Sequence, residues 1–359
     1  MKYFFVLGRN PALSRAEVLA YLESRGGIFR EIFFENNVLG IDLEGDLEFG
    51  ADDFGGVLML GVICYAGGRA GFLKYLEGED IVPSDKFTYT CFGGGDFELL
   101  KEKFKREKRK AMFKQGIRKL NLQGGESLDI SRADYHFLLY HFGGDFYFGI
   151  VEDEFSGKEL EKRDMGKPVR REALAISPRL SKILVNLSGA RAGDLLYDPF
   201  CGVGGILQEA LIKGIDVFGL DIDGAAISSA EKNLKWILKE YGLKANFNLK
   251  KGDCRIFGGI RANAIATEAP LGELVRKKPS KREASEIIGR FEGFIVNALC
   301  QLKRVKAARA RIAITFPVVG SYRVNCEKIS KKTGLKIVTG PIEEKRENQF
   351  ISRDVVVFE

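Results

Sequence analysis

The sequence contains only two histidines, and none of its six cysteines forms a CxxC pair. Zinc sites depend on clustered cysteine and histidine ligands, so we expect no metal site. Scattered cysteines also argue against a disulfide framework and are typical of reduced thiols that pack as small hydrophobic side chains. The pattern therefore predicts a cytoplasmic protein without a bound metal.

Long apolar runs are also missing. No stretch of about 18 apolar residues occurs, so no membrane span is predicted. The apolar run Tyr3–Leu7 is too short for a secretory signal and reads as a first strand. A GKS or GKT motif is absent, which excludes a phosphate-cradling Walker loop. By contrast, 359 residues with 45% hydrophobic side chains are enough for at least two domains with their own cores.

Positive charge is concentrated in one short segment. Residues 1–100 carry eight Lys/Arg and sixteen Asp/Glu, a net of −8, whereas residues 101–119 carry ten Lys/Arg and two Glu, a net of +8. We predict a long basic helix over residues 97–119, anchored by Phe104, Met112 and Phe113. A solvated helix face is the plain alternative, but dense positive charge favours contact with nucleic-acid phosphates.

From about residue 178 the pattern alternates strand, helix, strand. This alternation predicts a mostly parallel sheet with helices on both faces. The last two strand-like runs, "GLKIVTGPIE" and "QFISRDVVVFE", have no helix between them and should form an antiparallel hairpin at one edge. The fold class is therefore α/β, with a seven-stranded sheet preceded by a smaller α+β region.

Acidic residues end three successive predicted strands, at Asp198, Asp221 and Asp253. The first is followed by a glycine-rich turn into a helix, "YDPFCGVGGI", whose free backbone N–H groups point at a ligand. The turn lacks the dinucleotide pattern GxGxxG, because Leu207 stands at its last position. A carboxylate before the turn would repel a pyrophosphate but suits a cationic ligand that carries an amino acid. S-adenosylmethionine has those features, together with a ribose and an adenine for the other two acids.

The residues "RREALAISPRLSKILVNLS", "DPFCGVGGILQEA", "GLDID", "KGDC" and "ISRDVVVF" resemble those of the tRNA guanosine N2-methyltransferases, which join a THUMP RNA-binding domain to a Rossmann-fold methyltransferase. The resemblance implies an S-adenosylmethionine-dependent enzyme acting on tRNA, with position 10 as the expected guanosine. It also implies an N-terminal ferredoxin-like domain at 1–56, a THUMP domain at 57–152, a linker at 153–176 and a methyltransferase domain at 177–359. Relatives of this kind act as monomers or with a small activator subunit.

The resemblance assigns site residues by position. Asp198, Phe200, Gly202 and Gly204 would line the methionine moiety, Asp221 the ribose and Asp253 the adenine, with Ser177-Pro178-Arg179 closing the pocket from the other side. The cofactor-binding residues expected on this basis are Ser177, Pro178, Asp198, Phe200, Gly202, Gly204, Asp221, Ile222, Asp253 and Cys254. The RNA-binding residues expected from basic charge are Lys110, Lys114, Arg118, Lys119, Arg163, Arg170, Arg171, Arg276 and Lys277.

The catalytic turn departs from the family pattern. Where such enzymes usually have Asp-Pro-Pro-Tyr, this chain has Glu268, Ala269, Pro270 and Leu271. A carboxylate and a backbone carbonyl that accept the hydrogens of the guanine amine would stabilise the positive charge developing on nitrogen. We therefore expect Glu268, Pro270 and Leu271 to be catalytic, with Thr267 as an additional acceptor. Leu271 would cover a base by apolar contact but cannot stack on it. Stacking of a base on an aromatic side chain is worth about 1–3 kcal/mol.

Two alternatives remain open from the residues alone. The same chemistry serves amino methylation of another base, such as adenine N6. The altered turn is equally compatible with a tRNA-binding protein that has lost catalysis, in which case Glu268 only caps the following turn.

Overall fold

The computed structural model describes residues 1–93, 97–114, 133–170, 176–270, 279–345 and 350–359, together with the backbone strands of 118–122 and 126–130. It contains two large β-sheets, one built from each half of the chain.

The first half of the chain forms an eight-stranded sheet. Its strands and helices are β1 (Lys2–Leu7), α1 (Pro11–Ser24), β2 (Ile28–Glu35), β3 (Val38–Glu44), β4 (Val57–Gly67), α2 (Arg69–Gly78), β5 (Lys86–Phe92), α3 (Glu98–Arg106), β6 (Lys110–Phe113), β7 (Arg118–Leu122), β8 (Glu126–Ile130), β9 (Tyr135–Phe142) and β10 (Asp145–Glu154). The strand order is β2-β3-β1-β4-β10-β9-β5-β6, and β7 pairs with β8 separately. Because β4 pairs with both β1 and β10, the predicted units 1–56 and 57–152 share one sheet. The domain boundaries stay a prediction.

The expectation of a helix over residues 97–119 is wrong in its second half. Helix α3 ends at Arg106, and Lys108 then adopts a left-handed backbone conformation with a φ of 57°. The chain continues as β6, which pairs with β5 in parallel. Local charge and helix propensity therefore yield to long-range strand pairing. As a result Met112 and Phe113 are exposed, and they do not anchor a helix.

The positive charge of this segment is partly satisfied inside the protein. Lys103 is buried, and its Nζ donates to the carbonyl oxygens of Leu76 and Glu79 near the end of α2 and to Glu107. Arg109 bonds the carbonyl of Ser84, among other acceptors. Lys110 and Lys114, in contrast, are exposed on and just after the edge strand β6.

The second half forms an eight-stranded sheet, which consists of the seven predicted strands and the two-residue strand β16 (Tyr322–Arg323). Its elements are α4 (Gly157–Met165), α5 (Pro178–Leu187), β11 (Leu195–Asp198), α6 (Gly205–Ile212), β12 (Asp216–Asp221), α7 (Gly224–Glu240), β13 (Phe247–Lys251), β14 (Ala264–Glu268), α8 (Lys281–Val305), β15 (Ile312–Val319), β16 (Tyr322–Arg323), α9 (Cys326–Thr333), β17 (Ile337–Glu344) and β18 (Ile351–Phe358). The order is β13-β12-β11-β14-β15-β18-β17, and β16 pairs with β15. The five strands β11 to β15 are parallel to one another. Strand β18 is antiparallel to its neighbours β15 and β17, which confirms the predicted hairpin at the edge of the sheet.

Both faces of this sheet are covered by helices. Helices α8 and α9 pack on one face through a core that includes Ile295, Leu299 and Ile329. The other face packs against α5, α6 and α7, and also against α1 from the first half of the chain, which contributes Leu13 and Ala20. The first half is therefore part of the hydrophobic interior of the second.

Among the described residues, no helix combines the length and apolarity that crossing a membrane requires.

Candidate active site

The carboxyl ends of β11, β12 and β14 meet at one edge of the second sheet, because parallel strands all finish on the same side. Strand β11 lies between the other two, with Asp198 level with Gly219 of β12 and Leu196 level with Ala264 of β14. Ligands of open α/β sheets bind outside this edge. The edge carries Asp198, Asp221 and Glu268, one at the end of each strand.

The glycine-rich turn after β11 is held by two of these acids. Oδ1 of Asp198 accepts from the N–H of Phe200 at 3.1 Å, and Oδ2 of Asp221 accepts from the N–H of Gly202 at 2.9 Å. Gly202 and Gly204 adopt positive φ values of 52° and 87°, which favour glycine. A Cβ at Gly202 would meet no atom within 4 Å, so the backbone there faces open space.

Helix α5 begins beside this turn. Ser177 caps it by accepting from the N–H of Leu180, and Pro178 occupies its first position. A Cβ at Gly205 would lie 3.3 Å from Ile176, so the start of α5 lies against the glycine turn. Ser177 and Pro178 therefore lie beside the glycine turn, and their contact with the cofactor stays a prediction.

Arg179 does not close the pocket. Its Nε donates to the carbonyl oxygen of Gly55 at 2.8 Å, and its guanidinium carbon lies 5.6 Å from the ring centre of Phe155. The buried Arg179 side chain therefore joins the two halves of the chain, which corrects the prediction made for it.

Asp198 is an unusual carboxyl group. It is 1% exposed and accepts a 2.5 Å hydrogen bond from the hydroxyl of Thr267. Burial raises its pKa to about 7, and the negative charges of Asp221 and Glu268 add to this effect. The donors Thr267 and Phe200 oppose it. Thr267 donates its hydroxyl hydrogen to Asp198 and is fully buried, and this burial keeps it from accepting a hydrogen bond from a substrate as predicted.

Asp253 follows β13, and its carboxylate forms an ion pair with the neighbouring Arg255. The Arg255 guanidinium donates to both of its oxygens, at 2.6 Å and 3.0 Å, and holds the pKa of that carboxyl below its usual range. Arg255 also lies over the ring of Phe294, with its guanidinium carbon 5.6 Å from the ring centre. An adenine amino group reaching Asp253 would share oxygens that already accept from Arg255.

Glu268 ends β14 and pairs with Arg353 of β18. The Nε of Arg353 donates to Oε1 of Glu268, and both side chains are largely buried. Ala269 is buried behind this turn and Pro270 is exposed, whereas Leu271 lies outside the described residues. Reasoning from sequence missed this arginine. Its signal was an Arg-Asp pair that interrupts the apolar pattern of the last strand.

Comparison with known proteins decides the family. Residues 168–290 match the model of the RMKL-like methyltransferase domain. A tRNA (guanine(10)-N2)-dimethyltransferase of Pyrococcus abyssi is 29% identical over 90% of this chain and 94% of its own length. A probable enzyme of the same name from Methanothermococcus thermolithotrophicus is 33% identical, over 33% of this chain and 78% of its own length. The chain belongs to the tRNA (guanine(10)-N2)-methyltransferase family.

The fold agrees with this family. The structure superposes on crystalline TrmN from Thermus thermophilus with a TM-score of 0.54, covering 100% of this chain and 99% of TrmN at 14% identity. The recognition made from the sequence motifs and the predicted Rossmann-like α/β fold are confirmed, and the protein is an S-adenosylmethionine-dependent methyltransferase.

The site residues of this methyltransferase fit its cofactor. Asp198 and Asp221 bring two carboxyl groups to neighbouring strand ends, and their mutual repulsion favours a cationic ligand. The open backbone at Gly202 leaves room for it. Asp198, Phe200, Gly202 and the start of α5 would hold the amino-acid end, and Asp221 the ribose. Ile222 is exposed beyond β12, and Cys254 is buried beyond Asp253.

Cofactor affinity should increase as the pH rises through about 7. Asp198 is ionised above this value and then attracts the cationic cofactor, whereas its protonated form does not. Isothermal titration between pH 5.5 and 8.5 measures the effect. An Asp198→Asn variant should bind weakly and lose the slope, and a pH-independent affinity in the wild type would contradict the assignment. The stability of the cofactor-free protein should change in the opposite direction. Because folding raises the pKa of Asp198, the unfolded chain releases this proton at a lower pH than the folded protein does. The free energy of unfolding therefore falls as the pH rises from about 4 to 7.

The basic residues predicted to bind RNA fall into four groups. Lys110 and Lys114 are exposed, and Arg170 is partly exposed. Arg163 was wrongly predicted: its side chain is 7% exposed and forms an ion pair of 2.9 Å with the buried Glu209 of α6, so it cannot reach a phosphate. Arg118 and Lys119 lie on β7, of which only the backbone is described. The remaining predictions, Arg171, Arg276 and Lys277, lie outside the described residues.

Proposed function

We propose that this enzyme transfers a methyl group from S-adenosylmethionine to the exocyclic N2 of the guanosine at position 10 of tRNA. The observation that carries the proposal is the Glu268 carboxylate, held at the end of the fourth strand, next to the strand that ends in Asp198 and two strands from Asp221. The names of the relatives in Pyrococcus and Methanothermococcus support the same nucleoside and position.

The chain's own residues orient and stabilise the reacting amine. The amine of guanine is a weak nucleophile, because its lone pair is delocalised into the ring. When bound, the cofactor supplies an electrophilic methyl group. Glu268 accepts a hydrogen bond from the amine and so stabilises the positive charge that develops on nitrogen, an effect worth about 10²–10³ in rate for a well-placed group. The same carboxylate then takes the proton that the methylated nitrogen loses. Pro270 prevents the turn from becoming helical and directs a backbone carbonyl at the same amine.

The direct test uses a tRNA transcript without modifications and labelled S-adenosylmethionine. Nucleoside mass analysis should find N2-methylguanosine or its dimethyl form. The matched control is the same transcript with inosine at position 10, which lacks only the amine and should stay unlabelled. Methylated adenosine would show a different amino methyltransferase, and a complete absence of product would show a tRNA-binding protein without activity. Either result overturns the proposal.

Reversing the charge of Lys110 and Lys114 should weaken tRNA binding by about tenfold or more at low salt. Both side chains are exposed at the edge of the first sheet, where phosphate contacts would be lost and counterion release reduced. Affinity measured by filter binding at several salt concentrations should show a shallower salt dependence in the double variant. Lys232→Glu on α7, an exposed lysine of the second half, is the control and should leave binding nearly unchanged. Equal losses in both would show a nonspecific charge effect.

The proposal also includes a THUMP domain at 57–152, a cytoplasmic location, and action as a monomer or with a small activator subunit. Copurification from cells with a tagged chain tests the last of these: a stoichiometric small protein would support an activator.

A further inference from the structure

The strand register brings Arg353 of β18 to Glu268 of β14 across the strand between them. On β15, Thr315 lies opposite Glu268 and Pro317 lies opposite Arg353. These two positions are two residues apart, so Glu268 and Arg353 share one face of the sheet. The arginine side chain reaches over β15 at the level of Pro317. The ion pair therefore follows from the sheet itself and not from a mobile loop.

This pair is protected from water. The Arg353 side chain is 4% exposed and that of Glu268 is 14% exposed. An ion pair that is removed from water holds its partners more firmly than a surface pair does, provided that its geometry is good. A glutamate has one more rotatable bond than an aspartate, and fixing that bond costs side-chain entropy. Arg353 fixes it before a substrate arrives.

The pairing also leaves one oxygen for the substrate. Within the part of the chain that the structure describes, Arg353 is the hydrogen-bond donor to Glu268 and takes Oε1. The other oxygen, Oε2, remains to accept from an amine. The positive guanidinium further offsets the repulsion between Glu268 and the nearby Asp198. The contact with Arg353 therefore holds the Glu268 carboxylate in one orientation.

We propose that Arg353 is a positioning residue for the methyl transfer: it holds the Glu268 carboxylate across β15 so that the free oxygen accepts a hydrogen of the target amine. This inference rests on the proposed function for the role of Glu268. It explains how a glutamate serves at a turn where the family usually has an aspartate fixed by prolines.

The test compares Arg353→Gln and Arg353→Lys with the wild type in steady-state methylation of tRNA. Arg353→Gln should lower kcat by about 10- to 100-fold, while KM for tRNA and for the cofactor stays within about threefold. Arg353→Lys keeps the charge and should restore part of kcat.

The matched control is Arg323→Gln. Arg323 lies at the same sheet edge and also pairs with carboxylates, Asp354 and Glu343, but it does not touch Glu268. Its kcat should stay within about twofold of the wild type. An unchanged kcat in Arg353→Gln, or equal losses in both variants, would overturn the inference. If Arg353→Gln does not fold, Arg353→Lys decides: an unaltered kcat in a folded lysine variant overturns the need for the Nε contact.

The two proposals fail in different ways. The product formed by the wild type decides the function, because a methylated adenosine or no methylation at all contradicts it. The ratio of variant to wild-type kcat decides the role of Arg353 on whichever base is methylated. If no base is methylated, Arg353 positions nothing and the inference falls with the activity.

Discussion

Glu268→Gln is expected to lower kcat for methyl transfer by about 10²- to 10³-fold while cofactor affinity stays within about threefold. The amide keeps the size and shape of the side chain and still offers an oxygen to Arg353, but it loses the negative charge that stabilises the aminium-like transition state. The loss corresponds to about 3–4 kcal/mol of transition-state stabilisation. Single-turnover methylation of tRNA and separate titration of the cofactor measure the two quantities.

Glutamine is the informative substitution because alanine has a second effect. Glu268→Ala would leave the Arg353 guanidinium buried without this partner, and a structural loss would then be mixed with the chemical one. Glu343→Gln is the control, since Glu343 is a partly buried glutamate at the same sheet edge that pairs with Arg323. It should retain nearly full activity. A wild-type rate in Glu268→Gln would remove the carboxylate from the mechanism.

Glu17→Ala is expected to lower the free energy of unfolding by about 3 kcal/mol or more. Glu17 of α1 is fully buried, and its two oxygens accept from the N–H groups of Gly55 and Gly56 and from the amide of Asn186 on α5, each at 2.7 Å. Removing the carboxylate leaves these donors without it in a dry interior, at a cost of about 1–3 kcal/mol for each unsatisfied group. Burial raises the pKa of Glu17, and the same donors oppose that shift.

Denaturant titration measures this loss. The control is Glu231→Ala, which removes an exposed helical pair with Lys235 and should change stability by less than about 0.5 kcal/mol. A Glu17→Ala protein as stable as this control would show that the hydrogen bonds of Glu17 between α1 and α5 do not contribute to the free energy of unfolding. The backbone around the lost carboxylate has little room to shift and satisfy the donors in another way. A Cβ at Gly55 would lie 2.2 Å from the carbonyl oxygen of Arg179, so the loop at Gly55 already lies in close contact with α5.

Much of the second sheet could be predicted because its signals are local. Each strand end carries its own acid, and the turn at Gly202 and Gly204 needs glycine for its backbone conformation. Alternation of strands and helices then orders the sheet without reference to distant residues. The position of Glu268 at the fourth strand end follows from the same alternation.

The predictions from sequence failed where contacts between residues far apart in the chain determine the structure. The segment after Arg106 looks helical by itself, yet β5 draws it into a strand. Arg163 looks like a surface cation until Glu209, 46 positions later, is seen to bury it. Glu268 and Arg353 are 85 positions apart, and only the register of β15 brings them together. Charge pattern alone does not tell which arginine faces water and which one neutralises a buried acid.

The placement of α1 against the methyltransferase sheet limits how the two halves of the chain could be exchanged between relatives. Leu13 and Ala20 share a core with α5, and Asn10 caps α1 while its amide donates to Glu344 at the end of β17. The catalytic half thus borrows a helix from the opposite end of the chain. A chimera that takes the first half of the chain from a relative would therefore have to keep α1 together with the sheet of the second half that it covers.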